Sequence, residues 1–390
     1  MASASFKLNS NGIPAYEDLP LEKGDPHHSA WGLYGPDDEL GTLNRLTDDR
    51  VLTAAKGEIK TGARISLNWP LTAQCPTAFF GREVFHQELI PGVGRTVNDD
   101  VWTFNSQVTS QWDSLRHFAY QAEERFYNGV TMADILGAGG DGGDGKGGRT
   151  TRNGIQVMAE KGIVGRGVLL DYHSWWQRNR SSEAPIDGFK THHIQLEDLL
   201  ATAKEQGTEI HFGDILLIRS GYMATLATKS ASDVVAQHTV DPPTFIGLGQ
   251  SEEALRWLWE NFSAVAGDQP TFEGWPSLQE WSLHEVLLSG WGCPIGELFD
   301  LEKLSVHCEK EKRWSFFVTS EVCNVPGGVA RGGGDKIHHV GNPDKSIRKY
   351  AIDTLNDATM VWLRARTIIL FSPGCFKLRN KLPRASNMIA

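Results

Sequence analysis

The chain is short of the features that mark several common protein classes. Its five cysteines, Cys75, Cys293, Cys308, Cys323 and Cys375, are scattered through 390 residues without a CxxC pair. That excludes a thiolate zinc cluster and a disulfide framework, and leaves them as reduced residues. No run is apolar over the roughly eighteen residues that a membrane span needs. "MASASFKLNSNGIPAYEDLP" has no basic region followed by an apolar stretch, so a soluble, cytoplasmic protein with no membrane partner is expected. Basic residues are outnumbered, 38 against 48, for a net charge of -10; such a chain repels a phosphate backbone, and no nucleic acid is expected as a partner. The one basic segment, "KLRNKLPR", reads as a solvated stretch. A GxSxG elbow is missing, which removes the serine-hydrolase reading.

What is present is an ordinary globular composition, 40% hydrophobic and 22% charged, with enough length for a large core. Apolar, β-branched runs recur as "ARISLNW", "GRGVLLDY", "GDILLIRSGY", "SAVAGD" and "RTIILF", and each reads as a strand. Between them, "IQLEDLLATAKEQG" and "SEEALRWLWENF" carry apolar residues at helical spacing, the first with a glycine stop and the second with a serine cap. Strands alternating with helices predict an α/β fold. The run "GAGGDGGDGKGG" contains a formal GxGxxG. It comes after the helix-like "TMADIL" rather than a strand, so it reads as a flexible surface loop and not as a phosphate cradle.

The chemistry concentrates in "SQWDSLRHFAYQ", Ser110 to Gln121. Asp113 and His117 stand four residues apart, and Gln107 and Gln111 precede them on the same spacing. On a strand, Gln107, Thr109, Gln111 and Asp113 share one face, and a turn after Asp113 returns His117 to the same spot. Oxygen donors with one imidazole suit a divalent cation that polarises a carbonyl. A buried turn in which these side chains satisfy backbone groups is the alternative that the spacing leaves open.

This cassette resembles the HxGTHxDxPxH motif of the cyclase family of metal-dependent hydrolases, among them the kynurenine formamidases and isatin hydrolase. Gln107 and Gln111 fall on its first two histidines, Asp113 on its aspartate, Leu115 on its proline and His117 on its last histidine. "SAWGLYGPDDELGTLNRLT", "RFYNGVT", "GIVGRGVLLDY", "GDILLIRSGY" and "HEVLLSGWGCPIGEL" are similar in wording and order to long fungal and bacterial members. The resemblance implies a swivelling β/β/α single domain over 25–330, preceded by a tail over 1–24 and succeeded by an extension or insertion over 331–390 packed on the same domain. It also implies two distal residues, His284 and Glu297, which by pattern alone belong to an amphipathic helix and a strand or turn edge.

The resemblance leads to the expectation of a hydrolase of a small amide, formamide or lactone, with the arylformamidase reaction on N-formylkynurenine in tryptophan catabolism as its nearest named case. The cation would be held by Asp113, Gln107, Gln111, His117, His284 and Glu297. His117, His284 and Glu297 would be catalytic, and Trp31, Trp112, Phe118 and Trp291 would wall a pocket for a small-molecule substrate. Gln in place of His weakens the site and shifts it from zinc toward manganese or magnesium; the metal is expected as manganese or zinc, held weakly or absent. A ring-opening or ring-closing enzyme of secondary metabolism, and a family member that only binds a small molecule or partner, are the other readings. Relatives are dimers, so a homodimer or higher homo-oligomer is expected. The adjacent pairs His27 with His28, His192 with His193 and His338 with His339 are expected on surface loops, their side chains diverging.

Overall fold

The computed structural model describes residues 7–74, 77–137, 150–331 and 336–339. These belong to a unit spanning Met1–Asn342; a second unit, Pro343–Ala390, lies outside the described residues. Most of the glycine-rich run, the strand read in "RTIILF" and the extension beyond 339 likewise fall outside them.

Among the described residues nine strands form one sheet: β1 (Ala63–Ser66), β4 (Gln111–Asp113), β5 (Ile163–Leu170), β7 (Asp214–Ile218), β9 (Phe262–Gly267), β10 (Ile295–Glu297), β11 (Ser315–Ser320), β12 (Ala330–Arg331) and β13 (Lys336–His339). Two ribbons complete the strands, β2 (His86–Pro91) with β3 (Asn98–Thr103), and β6 (His192–Ile194) with β8 (Ile246–Leu248). The sheet runs β1-β13-β11-β5-β7-β9-β10-β4-β12. Its centre, β5 through β10, is parallel, and the strands on either side are antiparallel. The sequence dictates this division. "DILLI" and "FSAVAG" are apolar without alternation and every residue in them is buried, as parallel strands covered on both faces require.

The expected helices form. Leu196–Gln206 stops before Gly207, and Glu252–Asn261 is capped by the Ser251 side chain, which accepts from the Ala254 N–H. Met132–Leu136 is a helix with a capping box, as "TMADIL" suggests. The chain is thus a mixed α/β protein. Among the described residues no helix is long and apolar enough to cross a membrane.

Two local expectations, the strand over 107–113 and the divergence of His27 and His28, are corrected. Only Gln111–Asp113 of the cassette is strand, and Gln107 to Ser110 form turns and bends, so Thr109 leaves the shared face and donates to the Trp69 carbonyl. The described part of the N-terminal tail is packed: Ile13, Tyr16 and Leu19 are buried, which apolar side chains at that spacing favour once a core is within reach. His27 and His28 do not diverge. Their ring centroids are 3.6 Å apart, and His28 is buried with Nε2 2.9 Å from both the Tyr16 hydroxyl and Glu252 Oε2.

One half-buried histidine makes the fold acid-sensitive. His238 meets the Phe79 ring edge-on at 4.1 Å and pairs through Nδ1 with the Thr77 hydroxyl at 2.8 Å. Burial pushes its pKa down to about 4. The native state therefore prefers the neutral ring; its contribution is complete above the unfolded value near 6.5 and is lost as pH falls toward 4. Urea titrations at about pH 7 and pH 4.5 should show that His238→Gln removes about 2 kcal/mol of the wild-type fall in stability, after allowance for partial solvent access. An identical fall in the two proteins would discard this assignment.

Candidate metal centre

Four elements bring the centre together. In β4, Gln111 and Asp113 point to one face and Trp112 to the other, where it is buried edge-on against Phe299. Strand β10 lies beside it with Glu297 directly opposite Gln111. Glu297 is therefore not at a sheet edge, since β10 is paired on both sides. His284 begins a helical segment whose next residues, Glu285–Trp291, are π-helical and all buried. The expected amphipathic helix is corrected accordingly: the segment has no solvent face, and π-turns are frequent where a helix must aim a functional residue. Ser282 and Glu285 cap its start, the Ser282 hydroxyl accepting from Glu285 N and Glu285 Oε2 accepting from Ser282 N, a reciprocal pair that fixes where the helix begins.

The amides are oriented by what surrounds them, because a carboxylate can only accept. Gln107 Nε2 donates to Asp113 Oδ1 at 2.5 Å and lies 3.3 Å from His117 Nδ1. Gln111 Nε2 donates to Gln107 Oε1 at 3.1 Å and to Glu297 Oε2 at 3.0 Å. Each carboxylate thereby has one oxygen served by an uncharged donor. The other oxygens face His284: Glu297 Oε1 is 3.0 Å from Nε2, and Asp113 Oδ2 is 4.0 Å from it.

Whether these residues fit a cation is decided by the atoms left over. Asp113 Oδ2 is buried and has no hydrogen-bond partner, and neither does Gln111 Oε1. An orphaned buried carboxylate oxygen is costly unless something positive meets it. Asp113, His284 and Glu297 each offer a ligand atom, all within 4.8 Å of one another. Two oxygens and an imidazole nitrogen around one small space suit a divalent cation. The residues fit.

The electrostatics agree. Burial, together with repulsion from Asp113, pushes the Glu297 carboxyl up to about 7. Burial alone would lower His284, but the Glu273 and Glu297 carboxylates outweigh it and raise the imidazole well above its ordinary value. The site is thus rich in negative charge that a cation or a proton must balance.

Glu273 escaped the sequence reading. It is buried, its Oε1 is 2.6 Å from His284 Nδ1, and its carboxylate also receives the Leu283 and His284 backbone N–H groups. It therefore caps the helix and turns the imidazole so that Nε2 faces Asp113 and Glu297. Its one available signal was position, a carboxylate shortly after β9 at the carboxyl end of a parallel strand, where α/β sheets place ligands. Replacing it by Gln should weaken divalent-cation affinity by about 10–100-fold in chelator competition. Unchanged affinity would remove its orienting role.

His117 stands apart from the three converging ligands. A turn closed by its N–H on the Ser114 carbonyl brings it over the site, with its ring centroid 6.5 Å from that of His284. Burial lowers its pKa, and with Nδ1 facing the Gln107 amide the neutral ring carries its proton on Nε2.

A cavity of about 470 Å³ opens onto His117, His284 and Glu297. Of the four expected aromatic walls only Phe118 lines it, joined by Phe80 and Trp275. Trp112 bonds Ser320 within the core, Trp291 packs on Trp259, and Trp31 bonds the Ser289 carbonyl. Large rings at those positions serve packing, the commoner use of buried tryptophan.

A family model described as "Putative cyclase" matches residues 27–274. A solved structure described as a novel cyclase is 26% identical, with a TM-score of 0.67 over 79% of this chain and 99% of its own. Isatin hydrolase A from Ralstonia solanacearum is 14% identical, with a TM-score of 0.47 over 70% of this chain and 91% of its own. Isatin hydrolase A from Labrenzia aggregata, bound to benzyl benzoate, is 14% identical, with a TM-score of 0.48 over 77% and 99%. None of the curated proteins compared matches the chain.

Proposed function

Because this chain belongs to the cyclase family, we propose that it is a metal-dependent hydrolase that opens the C–N bond of a small aromatic amide or formamide, or the ester bond of a lactone. The observation that carries the proposal is the unpartnered Asp113 Oδ2, converging with His284 Nε2 and Glu297 Oε1, whose residues line a cavity. Asp113, His284 and Glu297 would hold the cation, manganese or zinc. When bound, such an ion supplies Lewis acidity toward a carbonyl oxygen and lowers the pKa of water.

The remaining work belongs to side chains. Glu273 holds His284 in the tautomer that presents Nε2. Gln107 and Gln111 pin one oxygen of each carboxylate, so the other two oxygens have fixed directions. His117, neutral and protonated on Nε2, is placed to donate a hydrogen bond to the carbonyl oxygen as it gains negative charge, while the proton released by the attacking water ends on the leaving nitrogen or alkoxide. The sum is substrate plus water giving carboxylic acid plus amine or alcohol. Phe80, Phe118 and Trp275 offer flat apolar faces to the body of the substrate and keep bulk water off the reacting carbonyl.

Elemental analysis of freshly purified protein, paired with assays on aryl formamides and aryl lactones, tests this reading. About one manganese or zinc per chain, with hydrolysis abolished by chelation and restored by that ion, is the expected result. Protein that holds no metal, and gains no hydrolysis when manganese or zinc is added, would instead be a small-molecule binder.

A further inference from the structure

Arg82 is the residue of the cavity wall that the hydrolytic reading leaves without a task. It enters from the turn after Phe80, half-buried, and shares the cavity with His117, Phe118, His284 and Glu297. Its guanidinium lies over the Phe80 ring, 4.9 Å from the centroid, and Nη1 donates to the Gln107 carbonyl at 3.2 Å. That one bond fixes its place: the Gln107 backbone holds Arg82, while the Gln107 side chain holds Asp113. Among the described residues no carboxylate comes within ion-pair distance of it. A guanidinium has five N–H donors and keeps its charge in any protein environment, so most of this one's donors remain for something else.

The neighbouring acids do not claim them. Asp113 and Glu297 act on Arg82 only at longer range. One oxygen of each is taken by an amide and the other is turned to His284, while Glu273 is spent on His284 and the Leu283 N–H. A cation among Asp113, His284 and Glu297 further cancels their field. What remains at the wall is a planar, stacked fork beside aromatic surface, the arrangement that takes a carboxylate through two parallel bonds.

We propose that Arg82 is an anion subsite that selects flat aromatic substrates carrying a carboxylate in addition to the bond to be hydrolysed. This deepens the hydrolase reading and rests on it for the identity of the reaction, although the subsite itself is a matter of binding. Neutral amides of the same size would enter the cavity without the charged contact and so at lower affinity.

The test is calorimetric titration with naphthalene-1-carboxylate and its neutral counterpart naphthalene-1-carboxamide, for wild type, Arg82→Gln and Arg82→Lys at equal measured metal content. Wild type should bind the anion about tenfold or more tightly than the amide, the range expected of a charged hydrogen-bonded contact. Arg82→Gln should bring the ratio to about one, and Arg82→Lys should retain part of it, keeping the charge but losing the fork. A loosened fold lowers both affinities and leaves their ratio, so the ratio reports the subsite. A wild-type ratio near one, or a ratio that survives Arg82→Gln, overturns the proposal; should Arg82→Gln fail to fold, a full ratio in Arg82→Lys does the same. Parallel assays with 2-formamidobenzoate and formanilide separate the two claims. Anion preference without hydrolysis keeps the subsite and sinks the formamide reading; hydrolysis without anion preference does the reverse.

Discussion

Asp113→Asn should purify without bound metal and lose at least about a hundredfold in kcat/KM on any substrate of the wild type, more than is typical of residues that only orient a ligand. The substitution preserves shape but removes the charge that a cation needs, and its amide brings donors toward His284 Nε2 and Glu297 Oε1 where acceptors now face each other. Folding should survive. Asp113 Oδ1 is already met by an uncharged amide, and removing a like charge beside Glu297 relieves the repulsion that raises its pKa. Elemental analysis and circular dichroism on the same sample check both halves. A variant that keeps its metal would show that Asp113 is not a ligand and would leave its orphaned oxygen unexplained.

Gly41→Ala should be the most damaging single methyl in the molecule. Gly41 opens the turn Gly41–Arg45 and touches the backbone of Gly292, the residue that ends the π-helix. A Cβ at Gly41 would land on the Gly292 carbonyl and Cα, and one at Gly292 would come within 2.6 Å of Gly41 Cα. Both residues also lie at positive φ, 53° and 65°, where a side chain is strained even in open space. Neither neighbour is a side chain that can swing aside. Thr42 N donates to the Gly292 carbonyl at 3.1 Å and Ala30 N to the Gly290 carbonyl at 2.9 Å, so the contact is stitched on both sides. A loss of about 4 kcal/mol or more is expected, read as a fall in Tm of about 10 °C by calorimetry. Cation affinity should fall with it, because the displaced helix carries His284. A Tm within about 2 °C of wild type would mean that the two glycine backbones are not in direct apposition.

These variants touch residues whose legibility in the sequence differed. The central strands were plain because burial on both faces leaves uninterrupted apolar runs, as in "DILLI". Asp113 was visible by its spacing to His117. His284 and Glu297 were not, since their convergence depends on strand order, and only the resemblance to a family supplied them. The turn at Gln107 looked like strand because an alternating pattern survives when a chain bends. Glu273 and Arg82 were missed for a common reason: each acts on groups that only the fold brings to it, the start of the His284 helix for the first and the Gln107 carbonyl for the second, and neither belongs to a spaced pattern that would betray it. The tryptophans misled in the other direction, since a ring that fills a core and a ring that walls a pocket are spelled alike.

The π-helical stretch after His284 gives the centre an unequal tolerance of changes in length. Such a coil holds one residue more per turn than its neighbours would, and removing a single residue anywhere in Glu285–Trp291 lets it relax to ordinary α-helix. The flanking chain would then keep nearly its present direction, because one residue fewer in the tighter coil turns through almost the same angle, and the imidazole would stay near the carboxylates across the gap. Loss of one residue is therefore tolerable along that segment, whereas the same loss inside an α-helix would turn one end against the other by roughly 100°.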